Sequence, residues 1–480
     1  MHFTRKPQLS TDYYQLSMSN VYIHDDKKDD LAVFDLFIRN NPFQGGYTVC
    51  AGLEQAIDFL INIHFTQEDI DLLKKNHSEL SQNFLDYLLN FKFTGEMYAI
   101  PEGTIIFPQE PIVRIKAPLI QAQIIETALL SIINHQTLIA TKAARIVQAA
   151  DGDPVLEFGL RRAHGAEAGL YGARASIIGG CVGTSNVESE YLVDIPSKGT
   201  MSHSFILSYD SEYLAFEKFA VYNPGNVTLL VDTYNTLESG VPNALKLFKK
   251  LKENNVLPKF YGIRLDSGDL AYLSKEARKM LDTAGFHDAI ISASSDLDEH
   301  LVRDLKLQGA EIKLWGVGTK LITAYDQPAL GAVYKLSQIT SQGNEINKLK
   351  VSNDPGKITN PGYKKIIRIY DKINNKAQAD LIMLDEETID ESKPLTIFHP
   401  IYTWKKRILK DYYTKELLVP VIKDGEQVYD VPKISDVQNH LKEEFNTFWP
   451  AITRFTNPHE YHVDLSLKLW DMKNNILNEE

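Results

Sequence analysis

Between residues 154 and 319 the chain repeats one pattern: a short apolar run, a small polar tip, then a helical stretch. Residues 154–158 end in Gly159-Leu160-Arg161-Arg162, and 227–231 end in Asp232. Residues 260–265 end in Asp266-Ser267-Gly268-Asp269, 289–293 in Ser294-Ser295-Asp296, and 312–315 in Gly316-Val317-Gly318-Thr319. Helical spacing fills 244–254, 270–284 and 298–307 between them. Parallel strands need such crossovers, so the spacing of about 25–35 residues predicts βα units and an α/β class. If the strands close into a barrel, their tips gather at one end, where barrels carry their chemistry.

The rest of the chain narrows the class. At 480 residues it exceeds one barrel of about 250 residues, so further domains are expected. A net charge of −12 argues against a bulk nucleic-acid binder. Polyanionic small molecules can still be held by local amides and a few placed cations. Two cysteines, Cys50 and Cys181, make no disulfide scaffold, and no Cys/His cluster has zinc-ligand spacing. Residues 1–10 carry Arg5 and Lys6 with no apolar run behind them, so no signal peptide is expected. Apolar stretches stop well short of the ~18 residues of a membrane span, which makes the cytoplasm the default expectation.

Outside the repeat, residues 31–39 read as a strand and 51–63 as a helix after Gly45-Gly46. Residues 66–91 read as a helix capped by Thr66. Residues 98–118, with four prolines, read as short strands and turns, and a helix is expected from 120 to about 150. After about 330 the alternation stops. Residues 333–336, 364–370 and 379–384 look like antiparallel strands of a different sheet. This divides the chain into an N-terminal α/β domain (1–125), a barrel (126–329) and a mixed, partly helical C-terminal appendage (396–480).

Four tips carry candidate chemistry. Arg264-Leu265-Asp266-Ser267-Gly268-Asp269 gathers an arginine, a hydroxyl and two carboxylates at one strand end. Carboxylates there can hold ribose hydroxyls or a magnesium–diphosphate, and the arginine can clamp a carboxylate. A helix cap would explain one aspartate and the glycine, but not Arg264 and the other aspartate. Gly316, Gly318 and Thr319 can bring amides and a hydroxyl to a phosphate, or simply pack a turn. His203, between Gly199-Thr200 and Ser204, can act as a nucleophile or base, although a lone histidine is more often structural. Phe158 can stack on a flat ring and Arg161 can meet an anion; a core Phe with a surface Arg pair explains them equally. Thr11-Asp12-Tyr13-Tyr14-Gln15, on spacing alone, is an Asp-capped helix start.

Taken in order, Thr11–Gln15, Phe43-Gln44-Gly45-Gly46-Tyr47, Glu157–Arg162, Gly199–Ser204, Arg264–Asp269 and Gly316–Thr319 resemble the nicotinate phosphoribosyltransferases. The resemblance spans roughly residues 5–400. It implies an irregular TIM-like α/β barrel, with a second α/β domain built from the N-terminal part and completed by about 330–395. It also implies a homodimer with shared sites, in which Tyr14 of one subunit stacks on the pyridine ring against Phe158 of the other. Arg264, helped by Thr200, would bind nicotinate, and Gly316, Gly318 and Thr319 the 5-phosphate. Asp232 and Asp266 would face ribose or magnesium, with Asp269 a further magnesium candidate. His203 corresponds to the histidine that ATP phosphorylates, so nicotinate, 5-phosphoribosyl 1-diphosphate, ATP and Mg²⁺ are the implied partners. Nicotinamide-specific relatives carry an aspartate in the segment matching 183–186, where this chain has Ser185; a carboxylate there would repel an acid substrate.

The reaction fits these residue types. The pyridine nitrogen attacks the sugar as diphosphate departs, so positive charge builds on ribose and negative charge on the leaving group. The nitrogen has a free lone pair, so no general base is needed. Quinolinate or nicotinamide transferases are the neighbouring readings, and a non-catalytic nucleotide-binding barrel is the distant one.

Overall fold

The repeat folds as a six-stranded, wholly parallel sheet. The strands run Gly183–Thr184, Val155–Glu157, Leu314–Val317, Ile290–Ser295, Tyr261–Leu265 and Val227–Leu230 across the sheet. The first strand of the repeat pairs with the last, Trp315 opposite Val155. That is the cyclic order of a barrel, with one seam left open between Gly183–Thr184 and Val227–Leu230. The expected TIM-like barrel is therefore a curled open sheet of six strands. The reason lies in the long connection after Thr184, which carries three short helices in place of a pairing strand (Glu190–Val193, His203–Leu207 and Glu212–Tyr222). It bridges the seam with single hydrogen bonds, Lys198 N donating to Thr184 O at 2.8 Å and Asn226 Nδ2 to Gly199 O at 3.2 Å.

The structure is a computed structural model describing residues 5–25, 27–402 and 404–479. Residues 1–4 of the N-terminal stretch read above lie outside the described residues. By compactness the chain divides into one unit of Ile139–Pro328 and another of Met1–Leu138 with Ala329–Glu480.

In the first unit, crossover helices cover the parallel strands as the periodicity predicts. Leu270–Thr283 is capped by Asp269, and Glu299–Leu307 by Asp298. Both caps accept from the third amide of their helix, satisfying groups that would otherwise be orphaned. Fully buried Glu299 pairs with Arg145 at 2.7 Å and Lys142 at 2.6 Å, which fixes the helix that follows the Ser294 tip.

The second unit holds two larger sheets. Leu31–Ile38 lies between Ala332–Ser341 and Val113–Pro118, inside a seven-stranded antiparallel sheet. Lys364–Asp371 and Ala377–Leu384 pair antiparallel within a six-stranded sheet. The antiparallel strands expected after 330 are thus real but belong to two sheets. The expected appendage is woven into both. Val419–Lys423 pairs with Glu96–Ala99, and Val463–Leu465 pairs in parallel with Ala377–Leu384. The helix expected over 66–91 is two, Gln67–Asn76 and Gln82–Leu89, because Ser81 caps a second start.

At the centre of this unit Arg368, with no exposed surface, donates to both oxygens of Asp380. It also reaches Glu444 Oε2 at 2.7 Å and the Ile105 carbonyl at 2.7 Å. Tyr461 donates to Asp380 at 2.9 Å and stacks on Phe107, with ring centres 4.0 Å apart. No helix among the described residues is long and apolar enough to cross a membrane.

Candidate functional site

Strand tips in the first unit converge on one hydrogen-bonded network. Arg264, the fourth residue of its strand, turns its guanidinium to three neighbouring segments. Nε donates to Ser294 Oγ at 2.9 Å. One terminal nitrogen reaches Thr200 Oγ1 at 2.6 Å and the Met201 carbonyl at 3.1 Å, and the other reaches Asp266 Oδ1 at 3.3 Å. Ser294 donates onward to that same oxygen of Asp266. Burial alone would raise the Asp266 carboxyl, but the Ser294 hydroxyl and the Arg264 charge outweigh it and hold the group below the usual range.

Asp232 anchors the other half. Its Oδ2 accepts from the Asp266 amide at 3.0 Å and from the Ser267 hydroxyl at 2.6 Å. Its Oδ1 lies 3.2 Å from His203 Nε2. The Asp232 side chain is buried while the His203 side chain is 41% exposed, so the ring is held at one nitrogen and open to solvent at its edge. Five expected residues (Thr200, His203, Asp232, Arg264 and Asp266) therefore share one network.

Phe158, Thr200, Arg264 and Gly316 also line one cavity of about 220 Å³ on the inner face of the sheet. Phe158 sits against Gly316: a Cβ on that glycine would lie 2.7 Å from Phe158 Cδ2. The ring thus occupies space that only a glycine leaves. The Phe158 amide donates to the Val317 carbonyl at 2.8 Å, registering its tip to the Gly316–Thr319 turn. Beneath it, fully buried Glu157 accepts from the Gly159 amide and from Thr184 Oγ1, and burial pushes its carboxyl upward.

The remaining expected residues lie apart from the network. Arg161 and Arg162 are exposed on a short 3₁₀ turn. Ser185 follows the seam strand, its amide on the Glu157 carbonyl at 2.9 Å. Thr319 opens a one-turn helix, and the next residue, Lys320, is paired with Asp298 at 2.6 Å. Asp269 caps a helix, the role that spacing had left open for one aspartate. Tyr14 belongs to the other unit, 48% exposed in the first turn of Tyr13–His24, behind the predicted Asp12 cap position. Next to it Tyr13 stacks on His77 at 4.4 Å and bonds Glu79, which fixes that turn.

Sequence reasoning missed Ser294 as a partner of Arg264 and Asp266, and Glu157 as the anchor under Phe158. A small polar residue directly after an apolar strand was the available signal for Ser294. Among the described residues, no group of three or more His, Cys, Asp or Glu is placed to hold a metal ion. A diphosphate-borne magnesium needs only one or two protein carboxylates. Asp266 fits that need, since both of its described side-chain hydrogen bonds fall on Oδ1.

Models of the nicotinate phosphoribosyltransferase N-terminal domain, the family itself and its C-terminal domain match residues 9–134, 154–364 and 363–473. The chain belongs to the nicotinate phosphoribosyltransferase family. A nicotinate phosphoribosyltransferase of Bacillus subtilis is 47% identical over 98% of this chain and 95% of its own length. One from Dictyostelium discoideum is 34% identical over 98% of this chain and 88% of its own. The crystal structure of human nicotinic acid phosphoribosyltransferase superposes with a TM-score of 0.86 at 26% identity, covering 97% of this chain and 99% of that one.

Proposed function

We propose that the chain joins nicotinate to 5-phosphoribosyl 1-diphosphate, giving nicotinate mononucleotide and diphosphate, as a step of NAD biosynthesis or salvage. The observation that carries this is an arginine and an aromatic ring lining one cavity, beside a paired histidine and aspartate. In this reading Arg264 and Thr200 hold the nicotinate carboxylate, a planar anion suited to a guanidinium fork. Phe158 covers one face of the pyridine ring, and Tyr14 of a second subunit in a homodimer covers the other. Ser185 leaves the ring's surroundings free of the carboxylate that an amide substrate would call for. Gly316, Gly318 and Thr319 present amides to the 5-phosphate, with Arg161 near the same tip.

The pyridine nitrogen forms its bond to C1 of the ribose as the C1–oxygen bond to diphosphate breaks. Asp232 and Asp266 suit the positive charge that develops on the sugar. Asp266 would also hold magnesium, whose charge neutralises the departing diphosphate. His203 is the residue that ATP phosphorylates. Its Nε2 contact with Asp232 orients the ring and favours attack by the other nitrogen. Hydrolysis of the phosphohistidine would then drive product formation, which makes the overall reaction an ATP-coupled ligation.

Turnover of the purified chain with phosphoribosyl diphosphate, magnesium and ATP tests this, comparing nicotinate, nicotinamide and quinolinate. Nicotinate mononucleotide is expected from nicotinate alone, with ATP stimulation abolished in His203→Ala. Equal turnover of nicotinamide would overturn the Ser185 reading, and no mononucleotide from any of the three would overturn the activity.

A further inference from the structure

Ser294 has the placement of a coupling element. Its side chain is buried, and its single oxygen touches two groups of the proposed site at once. It accepts from Arg264 Nε at 2.9 Å and donates to Asp266 Oδ1. A hydroxyl can do both because it carries one donor and two lone pairs. Arg264 and Asp266 also touch directly, but at 3.3 Å, the longest of the contacts in this triangle. Ser294 comes from the neighbouring strand, in register beside Arg264's own (Ser292 opposite Arg264). The following residue, Ser295, holds φ at +136°, rarely adopted by a residue with a side chain, so the tip carries strain beside this oxygen.

We propose that Ser294 is a positioning residue that fixes Arg264 and Asp266 relative to each other, so that the carboxylate-binding and ribose-facing halves of the site are held in one geometry. This rests on the transferase reading above. Ser294 does not touch the reacting atoms. It sets the angle of the guanidinium through Nε, while the terminal nitrogens face Thr200, Met201 and Asp266. It also fixes the direction of the Asp266 carboxylate through Oδ1. The charged groups facing Asp266 are Arg264 on its own strand, His203 on the short helix His203–Leu207, and Asp232 at the adjacent tip.

The test is Ser294→Ala and Ser294→Thr in the full chain, read by steady-state kinetics, with KM and kcat resolved for each substrate, and by thermal melting. Alanine removes one hydrogen bond from each of two charged groups. A fall of about tenfold to a hundredfold in kcat/KM is expected for both nicotinate and phosphoribosyl diphosphate. Threonine keeps the hydroxyl and suits a strand, so it is expected to restore both. If Ser294→Ala keeps kcat/KM within twofold for both substrates, the proposal is overturned. It is equally overturned if activity falls only in step with melting and threonine restores neither. Wild-type turnover of nicotinate is measured first: its absence sinks the transferase reading itself, whereas a silent Ser294→Ala in an active enzyme sinks only this inference.

Discussion

Each residue of the network is held by partners from other tips, and this decided what could be read from the sequence. Arg264 and Asp266 stood out because they sit two positions apart on one tip. Ser294 did not, because its meaning comes from contacts about 30 residues back in the chain. Glu157 was visible within a motif, yet its task as a buried anchor depends on Thr184, a residue with no signal of its own. Gly316 gives a direct check at this scale. Gly316→Ala places a methyl 2.7 Å from the Phe158 ring, inside van der Waals contact. The ring must tilt into the cavity, at a cost of about 1–3 kcal/mol in stability. A rise of at least tenfold in KM for nicotinate is expected, with a smaller change for phosphoribosyl diphosphate. Unchanged kinetics would show that Phe158 does not bound the nicotinate position.

Among the elements, the parallel strands were legible because both the apolar runs and their polar tips were present. The seam strand Gly183–Thr184 was not, since two residues hold no periodicity. The C-terminal strands were hidden for another reason: Val463–Leu465 finds its partner some 80 residues earlier, and nothing local announces that pairing. The helix Leu467–Glu479 offers a test through Lys473. That side chain is buried, its ammonium on Asn360 Oδ1 at 2.9 Å. Burial, assisted by Lys364, lowers it from 10.5 to about 8. The unfolded chain therefore holds the proton more tightly between about pH 8 and 10.5. Stability from this group is at its lowest below pH 8 and rises through that window. Lys473→Met is expected to stabilise the protein at pH 7 by about 1–3 kcal/mol, with the gain shrinking toward pH 10. Denaturant titrations at pH 7 and pH 10 check the sign; a loss at pH 7 would mean that the Asn360 contact outweighs the burial.

At the scale of the whole molecule, the C-terminal region is structural material of the second unit. Glu444 and Tyr461 complete the set around buried Arg368 and Asp380. Removing them takes one of its two carboxylate partners from buried Arg368, a change that typically costs about 3–5 kcal/mol. A chain ending at Asp430 would also lose the Val463–Leu465 strand. It is expected to show no cooperative unfolding of this unit and rapid proteolysis of Leu31–Ile38. A truncated chain that melts within a few degrees of the full protein would refute this.

The connectivity has a consequence for synthesis. The parallel-sheet unit is inserted in the chain between the two parts of the other unit. Leu31–Ile38 meets its partner Ala332–Ser341 only after roughly 300 further residues have been made. At ribosomal speeds of about 5–20 residues per second, that strand waits on the order of 15–60 s with one edge unpaired. Only near the end of this interval does the inserted unit have all its residues and become able to fold, and until then the N-terminal part can only be shielded. Nascent chains in which Leu314–Val317 has left the ribosome but Ala332–Ser341 has not should therefore carry a complete parallel sheet together with a sticky, chaperone-dependent N-terminal part.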